Sequence, residues 1–132
     1  MILIVRDPQQ DPGRPIKDAL SRLGASSLGI TLADHWPGTN LIKHQASLYS
    51  YRVDNNLRRT LKSVASGLFD WIHPALPEDP CFFRPDGTVI LTTIAHERDA
   101  YLTLTDAESS VLSISAPELA DVLCREGPAS LA

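Results

Sequence analysis

His96-Glu97-Arg98-Asp99 puts an imidazole and two carboxylates into four residues, the side-chain types that ligate a divalent metal or share acid and base work. The spacing is not that of a zincin helix. Such a helix needs a second His four residues on, so that both imidazoles share one face, and position 100 is Ala. His96, Glu97 and Asp99 are therefore catalytic candidates only if folding brings further groups to them; otherwise the four residues make a charged, solvated turn.

A second set of candidates suits binding. Glu78, Asp79, Glu97, Asp99, Asp106 and Glu108 fall in stretches that read as loops around a run of strands. Gathered on one rim beside Tyr101, Trp36 or Trp71, they make a negative, aromatic-edged patch that fits a basic protein surface. The binding set drawn from this is Glu78, Asp79, Glu97, Asp99 and Tyr101. The four His residues, at 35, 44, 73 and 96, share no two- or four-residue spacing, so any site using two of them must be assembled by tertiary folding. No G-x-S-x-G elbow, phosphate-cradling loop or dinucleotide fingerprint is present, which lowers the hydrolase, nucleotide-dependent and dehydrogenase classes. The two Cys, 81 and 124, have no C-x-x-C spacing and read as buried thiols of a reducing compartment, with one disulfide as the alternative. No metal and no cofactor is expected.

Composition sets the frame for these candidates. A chain of 132 residues, 43% hydrophobic and 21% charged, has the length and balance of a single globular domain, residues 1–132, with a real core. The net charge of −4 and the absence of a basic face argue against nucleic acid. Arg58, Arg59 and Lys62 read as the solvated side of a helix. The opening run Met1-Ile2-Leu3-Ile4-Val5 is too short for a signal segment, and no stretch approaches the roughly 20 apolar residues of a membrane span, so a cytoplasmic location is the expectation.

The elements that must position the candidates follow from periodicity. Residues 2–5 suit a buried strand, and Pro15 to Leu23 a short helix stopped by Gly24. Leu28, Ile30 and Leu32 alternate with Gly29 and Thr31, which predicts a short strand followed by a loop. Residues 41–53 read as a strand or an irregular lead-in. Asp54-Asn55-Asn56 caps a long amphipathic helix over 54–72, with Leu57, Leu61, Val64, Ala65, Leu68 and Ile72 as its stripe. Pro74 to Pro80 reads as a rigid, exposed acidic connector. From Cys81 the period changes to two: strands near 81–83, 88–95 and 100–105, bent at Arg84-Pro85-Asp86-Gly87 and Glu97-Arg98-Asp99, make an antiparallel meander with one wet face. A loop over 106–110, a short strand at 111–114 and a helix capped by Ser115-x-x-Glu118 and running to about Glu126 complete an α+β fold. In this fold the meander packs on the long helix, and shorter helices sit near the two ends.

The stretch from Trp71 to Leu104 resembles small bacterial proteins in the style of immunity proteins of polymorphic-toxin systems. The residues that carry the likeness are Leu76-Pro77-Glu78-Asp79-Pro80-Cys81-Phe82-Phe83-Arg84 and Thr93-Ile94-Ala95-His96-Glu97. The resemblance implies a cytoplasmic inhibitor that covers a toxin's active site, often through acidic residues. The leading expectation is thus a non-enzymatic protein-binding module whose acidic loops hold a basic, toxin-like partner. A small enzyme built on His96 with Glu97 or Asp99, and a structural subunit of a homo-oligomer such as a homodimer, are the alternatives.

Overall fold

The computed structural model describes residues 1–123, and Cys124 together with the end of the expected terminal helix lies outside them. The described chain divides after Leu102 into two compact units.

In the first unit, strands β1 (Ile2–Val5), β2 (Ser27–Ala33), β5 (Ala46–Tyr51), β6 (Glu78–Phe83), β7 (Val89–Ile94) and β8 (Asp99–Leu102) form an antiparallel sheet in the order β2-β5-β1-β6-β7-β8. The last three are consecutive neighbours, so the expected meander is present, as one half of a wider sheet. β1, the most apolar segment, lies in the middle and pairs with β5 on one side and β6 on the other. Alternation along β1 then fixes two cores. Leu3 points to one face with Met1, Leu23, Tyr51, Leu57 and Trp71, and Ile4 to the other with Trp36 and Ala46.

Helices α1 (Arg14–Leu23) and α2 (Asn55–Val64) cover the first face and contact each other. α1 buries Ile16, Ala19 and Leu23 at intervals of three and four, after Pro15 in its first turn. α2 starts where expected, because the Asp54 carboxylate accepts the backbone N–H of Leu57 at 2.8 Å and the Ser26 hydroxyl at 2.9 Å. It does not continue to residue 72. Ala65 is extended, and the Asp70 carboxylate accepts the N–H groups of Ser66 and Gly67 at 3.0 and 2.9 Å, so these amides leave the helical ladder. The expected single long helix is replaced by two helices of ten residues each, which share the face.

A small ribbon, β3 (His35–Trp36) with β4 (Thr39–Asn40), covers the opposite face where only a loop was expected. Its tip packs hard on β7. A Cβ at Gly38, where φ is +87°, would come within 2.9 Å of Ile94 and 3.0 Å of Thr92, so only glycine fits. This cover explains why Thr92, on the same side of β7 as Ile94, is buried rather than wet; Thr93, on the other side of the strand, is buried as well.

The second unit is described from Thr103 to Leu123 and holds α3 (Asp106–Ser115) and α4 (Pro117–Val122). The expected loop at 106–110 and strand at 111–114 are instead one helix. A capping box at Thr105 and Glu108 starts it: the Thr105 hydroxyl accepts the Glu108 N–H and the Glu108 carboxylate accepts the Thr105 N–H. Ser115 ends that helix rather than capping the next, and Pro117 opens α4. Among the described residues, no helix is long and apolar enough to cross a membrane.

Candidate functional site

The acidic connector does not exist as an exposed segment. Glu78 opens β6 inside the sheet, and Asp79, with no exposed surface, lies deeper still. The reason is a bulge. Ile2 pairs with Cys81 and Ile4 with Glu78, so three steps on β6 face two on β1, and the irregularity falls at Asp79-Pro80. A bulge leaves one backbone amide outside the ladder, which is where a proline can sit within a central strand. Asp79 adopts φ +53°, a left-handed conformation that Asp tolerates better than most residues.

Both acids have internal partners. Asp79 accepts the Trp36 indole N–H at 3.1 Å and the Ala95 N–H at 2.8 Å, tying the ribbon to the end of β7. Glu78 accepts from Arg6 Nε at 2.8 Å, and the Arg6 guanidinium lies 5.2 Å from the centre of the Trp36 ring. The Cys81 thiol donates to the Asp79 carbonyl at 3.3 Å, and burial pushes its pKa up to about 11. These residues form the polar knot of the second core, and the two carboxylates in it are buried.

The remaining candidates stand on the short β8 edge. A 3-10 turn over Ala95–Glu97 and a left-handed Arg98 bend the chain from β7 into β8. His96 Nε2 and Glu97 Oε1 are 3.8 Å apart, both more than half exposed, and Asp99 accepts the Tyr101 hydroxyl at 2.6 Å. Arg98 stacks over Phe69 at 5.4 Å. The chain thus brings His96 to Glu97 and Asp99 to Tyr101, but leaves Glu78 and Asp79 in the sheet interior. Among the described residues, no group of three or more His, Cys, Asp or Glu side chains is arranged to hold a metal. An open groove of about 790 Å3, lined by Asp7, Gln10, Leu32, Asp34, Lys43 and His44, includes none of the sequence candidates. In it, the hydrogen bond from His35 holds the Asp34 carboxyl below its ordinary range.

The opposite edge is different in kind. β2 is the longest strand, and its only sheet neighbour among the described residues is β5. Ile30 opposes Tyr49 and Leu32 opposes Ser47, so both lie on the face that α1 and α2 cover further in. The helices stop short of this last strand. Leu28, Ile30 and Leu32 are left 58–59% exposed, and the strand carries no charged residue and no proline. Edge strands in monomers are ordinarily blunted by lysine, proline or short length. β8, four residues long and starting on Asp99, is blunted in that way. β2 has one such device, a bulge between Ser27 and Gly29, with Gly29 at φ +130°. From Gly29 to Ala33 its register with β5 runs without a break.

The alternation of Leu28, Ile30 and Leu32 was readable in the sequence as a strand. Its place at the rim was not, because that depends on β5 inserting between β1 and β2. No family model matches the chain, and no curated protein or solved structure matches it either.

Proposed function

We propose that this chain is a protein-binding module that recognises its partner by strand addition at β2. The observation that carries this reading is the seven-residue, uncharged edge with three large apolar side chains 58–59% exposed. Magnitudes favour it over the charged turn. Burying a Leu or Ile fully is worth about 1.5–3 kcal/mol, so each of the three has on the order of 1–2 kcal/mol still to gain from a partner. An exposed ion pair at Glu97 or Asp99 contributes about 0–1 kcal/mol. Main-chain hydrogen bonds from the open edge add register and orientation.

The kind of function expected from the sequence, partner binding in the manner of an immunity-type inhibitor, is kept, but with a different surface. Glu78 and Asp79 are committed to internal partners, so a basic partner would have to be held by Glu97, Asp99 and Tyr101 alone. That second surface remains a reading of its own because Glu97 is exposed and the Asp99 to Tyr101 hydrogen bond fixes an acidic, aromatic pair.

Affinity capture with three baits separates the two: the native chain, Ile30→Lys, and the double variant Glu97→Lys with Asp99→Lys. The expected result is a protein retained by the native chain and by the double variant but lost with Ile30→Lys. Retention by Ile30→Lys together with loss in the double variant would reject the β2 reading in favour of the acidic turn. Circular dichroism confirms that each bait is folded.

A further inference from the structure

Resting on the β2 reading, we propose that the occupant of this edge is a second copy of the same chain, paired antiparallel to it about a two-fold axis at Thr31. The regular part of the edge, Gly29-Ile30-Thr31-Leu32-Ala33, is self-complementary in that register. Thr31 meets its twin, each Ile30 meets the other copy's Leu32, and each Gly29 meets the other's Ala33. A two-fold axis normal to the sheet keeps faces matched, so both Ile30-Leu32 pairs fall on the helix-covered side and the Thr31 pair on the other. Apolar pairs and Thr-Thr pairs are favourable cross-strand neighbours.

Charge narrows the occupant to an uncharged strand, and the self-complementary stretch is one such strand. The paired stretch carries no charged side chain, so a partner strand with Lys or Glu at these positions would lose hydration and find no counter-charge. The nearest carboxylate along the strand, Asp34, already accepts from His35 Nδ1 at 2.7 Å. In this register Asp34 falls opposite the other copy's Leu28, which puts the two Asp34 residues about 20 Å apart along the strands. That is beyond the screening length of about 8 Å at physiological salt. The bulge at Ser27 and Gly29 bounds the pairing at one end and Asp34 at the other, so the register has little room to slide. Five paired residues per copy make an interface at the small end of the specific range, under about 1,200 Å2, so the dimer forms and dissociates with concentration.

Light scattering across a dilution series from about 500 to about 5 µM reads the association directly. The native chain is expected to pass from dimer to monomer, and Ile30→Lys alone and Leu32→Glu alone each to raise the dissociation constant at least roughly tenfold. Mixing the two variants restores dimer, because this register places the introduced lysine opposite the introduced glutamate. Thr31→Cys, in a Cys124→Ser background, becomes a disulfide-linked dimer on mild oxidation, since opposed strand residues lie within bridging distance. A native chain that stays monomeric throughout overturns the proposal, while edge-dependent capture of a different protein would leave the β2 reading standing. A dimer indifferent to Ile30→Lys and uncrosslinked at Thr31→Cys overturns the proposal too, and the β2 reading then stands or falls with the capture experiment.

Discussion

Asp79 shows how one side chain can decide which surfaces are free. With no exposed area, it accepts two N–H groups from elements 43 and 16 residues away in sequence, and so locks the ribbon and β7 to the bulge of β6. Asp79→Asn keeps the side-chain shape and the tolerance for a left-handed backbone, but sets an amide NH2 against one of the two donors. The expected loss of stability is about 1–3 kcal/mol in urea unfolding, with the fold retained. An unchanged midpoint would mean that the hydrogen bond lost and the charge removed contribute nothing net. This residue also marks the limit of the sequence reading. Two prolines and two acids in Pro77-Glu78-Asp79-Pro80 carry the local signature of an exposed connector, and only the pairing of β6 with β1 turns the same residues into a buried bulge.

Helix boundaries follow caps more closely than apolar stripes. The stripe of α2 runs on past Val64 in the sequence, yet Asp70 draws two amides out of the ladder and the helix ends. Likewise two capping signals compete between residues 105 and 118. The Thr105-Glu108 box forms, and the serine of Ser115-x-x-Glu118 becomes the last residue of that helix instead of the cap of the next. The meander was legible because its two-residue period and the Pro85-Asp86-Gly87 turn are local signals, with Asp86 accepting from the Thr88 N–H at 2.9 Å. The ribbon that covers β7 left no comparable trace, since its strands are two residues each.

At the same scale, Asp54 links α2 to the chain entering β2. Its carboxyl is held below the usual range, first by the Leu57 N–H and then by the Ser26 hydroxyl. A carboxyl whose pKa is depressed by folding contributes stability above its unfolded value, near 3.9, and loses it as the pH falls through the lower folded value. The stability difference between the native chain and Asp54→Asn should therefore be largest above about pH 4 and shrink as the solution is acidified below it. A difference that stays constant through that range would show that the charge at Asp54 does no work.

Across the first unit, the six strands are covered unevenly. β1 has a core on each face, the ribbon shelters β7, and the helices reach only as far as β5 on the other flank. The two rims then differ in kind: β8 is short and begins on a carboxylate, whereas β2 is long, uncharged and leaves Leu28, Ile30 and Leu32 exposed. The proposed recognition by strand addition rests on that asymmetry rather than on any titratable cluster. Residue-resolved hydrogen exchange tests it most directly, comparing dilute chain with chain saturated by its partner or concentrated to the paired state. The account predicts that amides between Gly29 and Ala33 slow markedly on association while those between Asp99 and Leu102 keep their rates. Slowing confined to the β8 rim, with β2 unchanged, would contradict it.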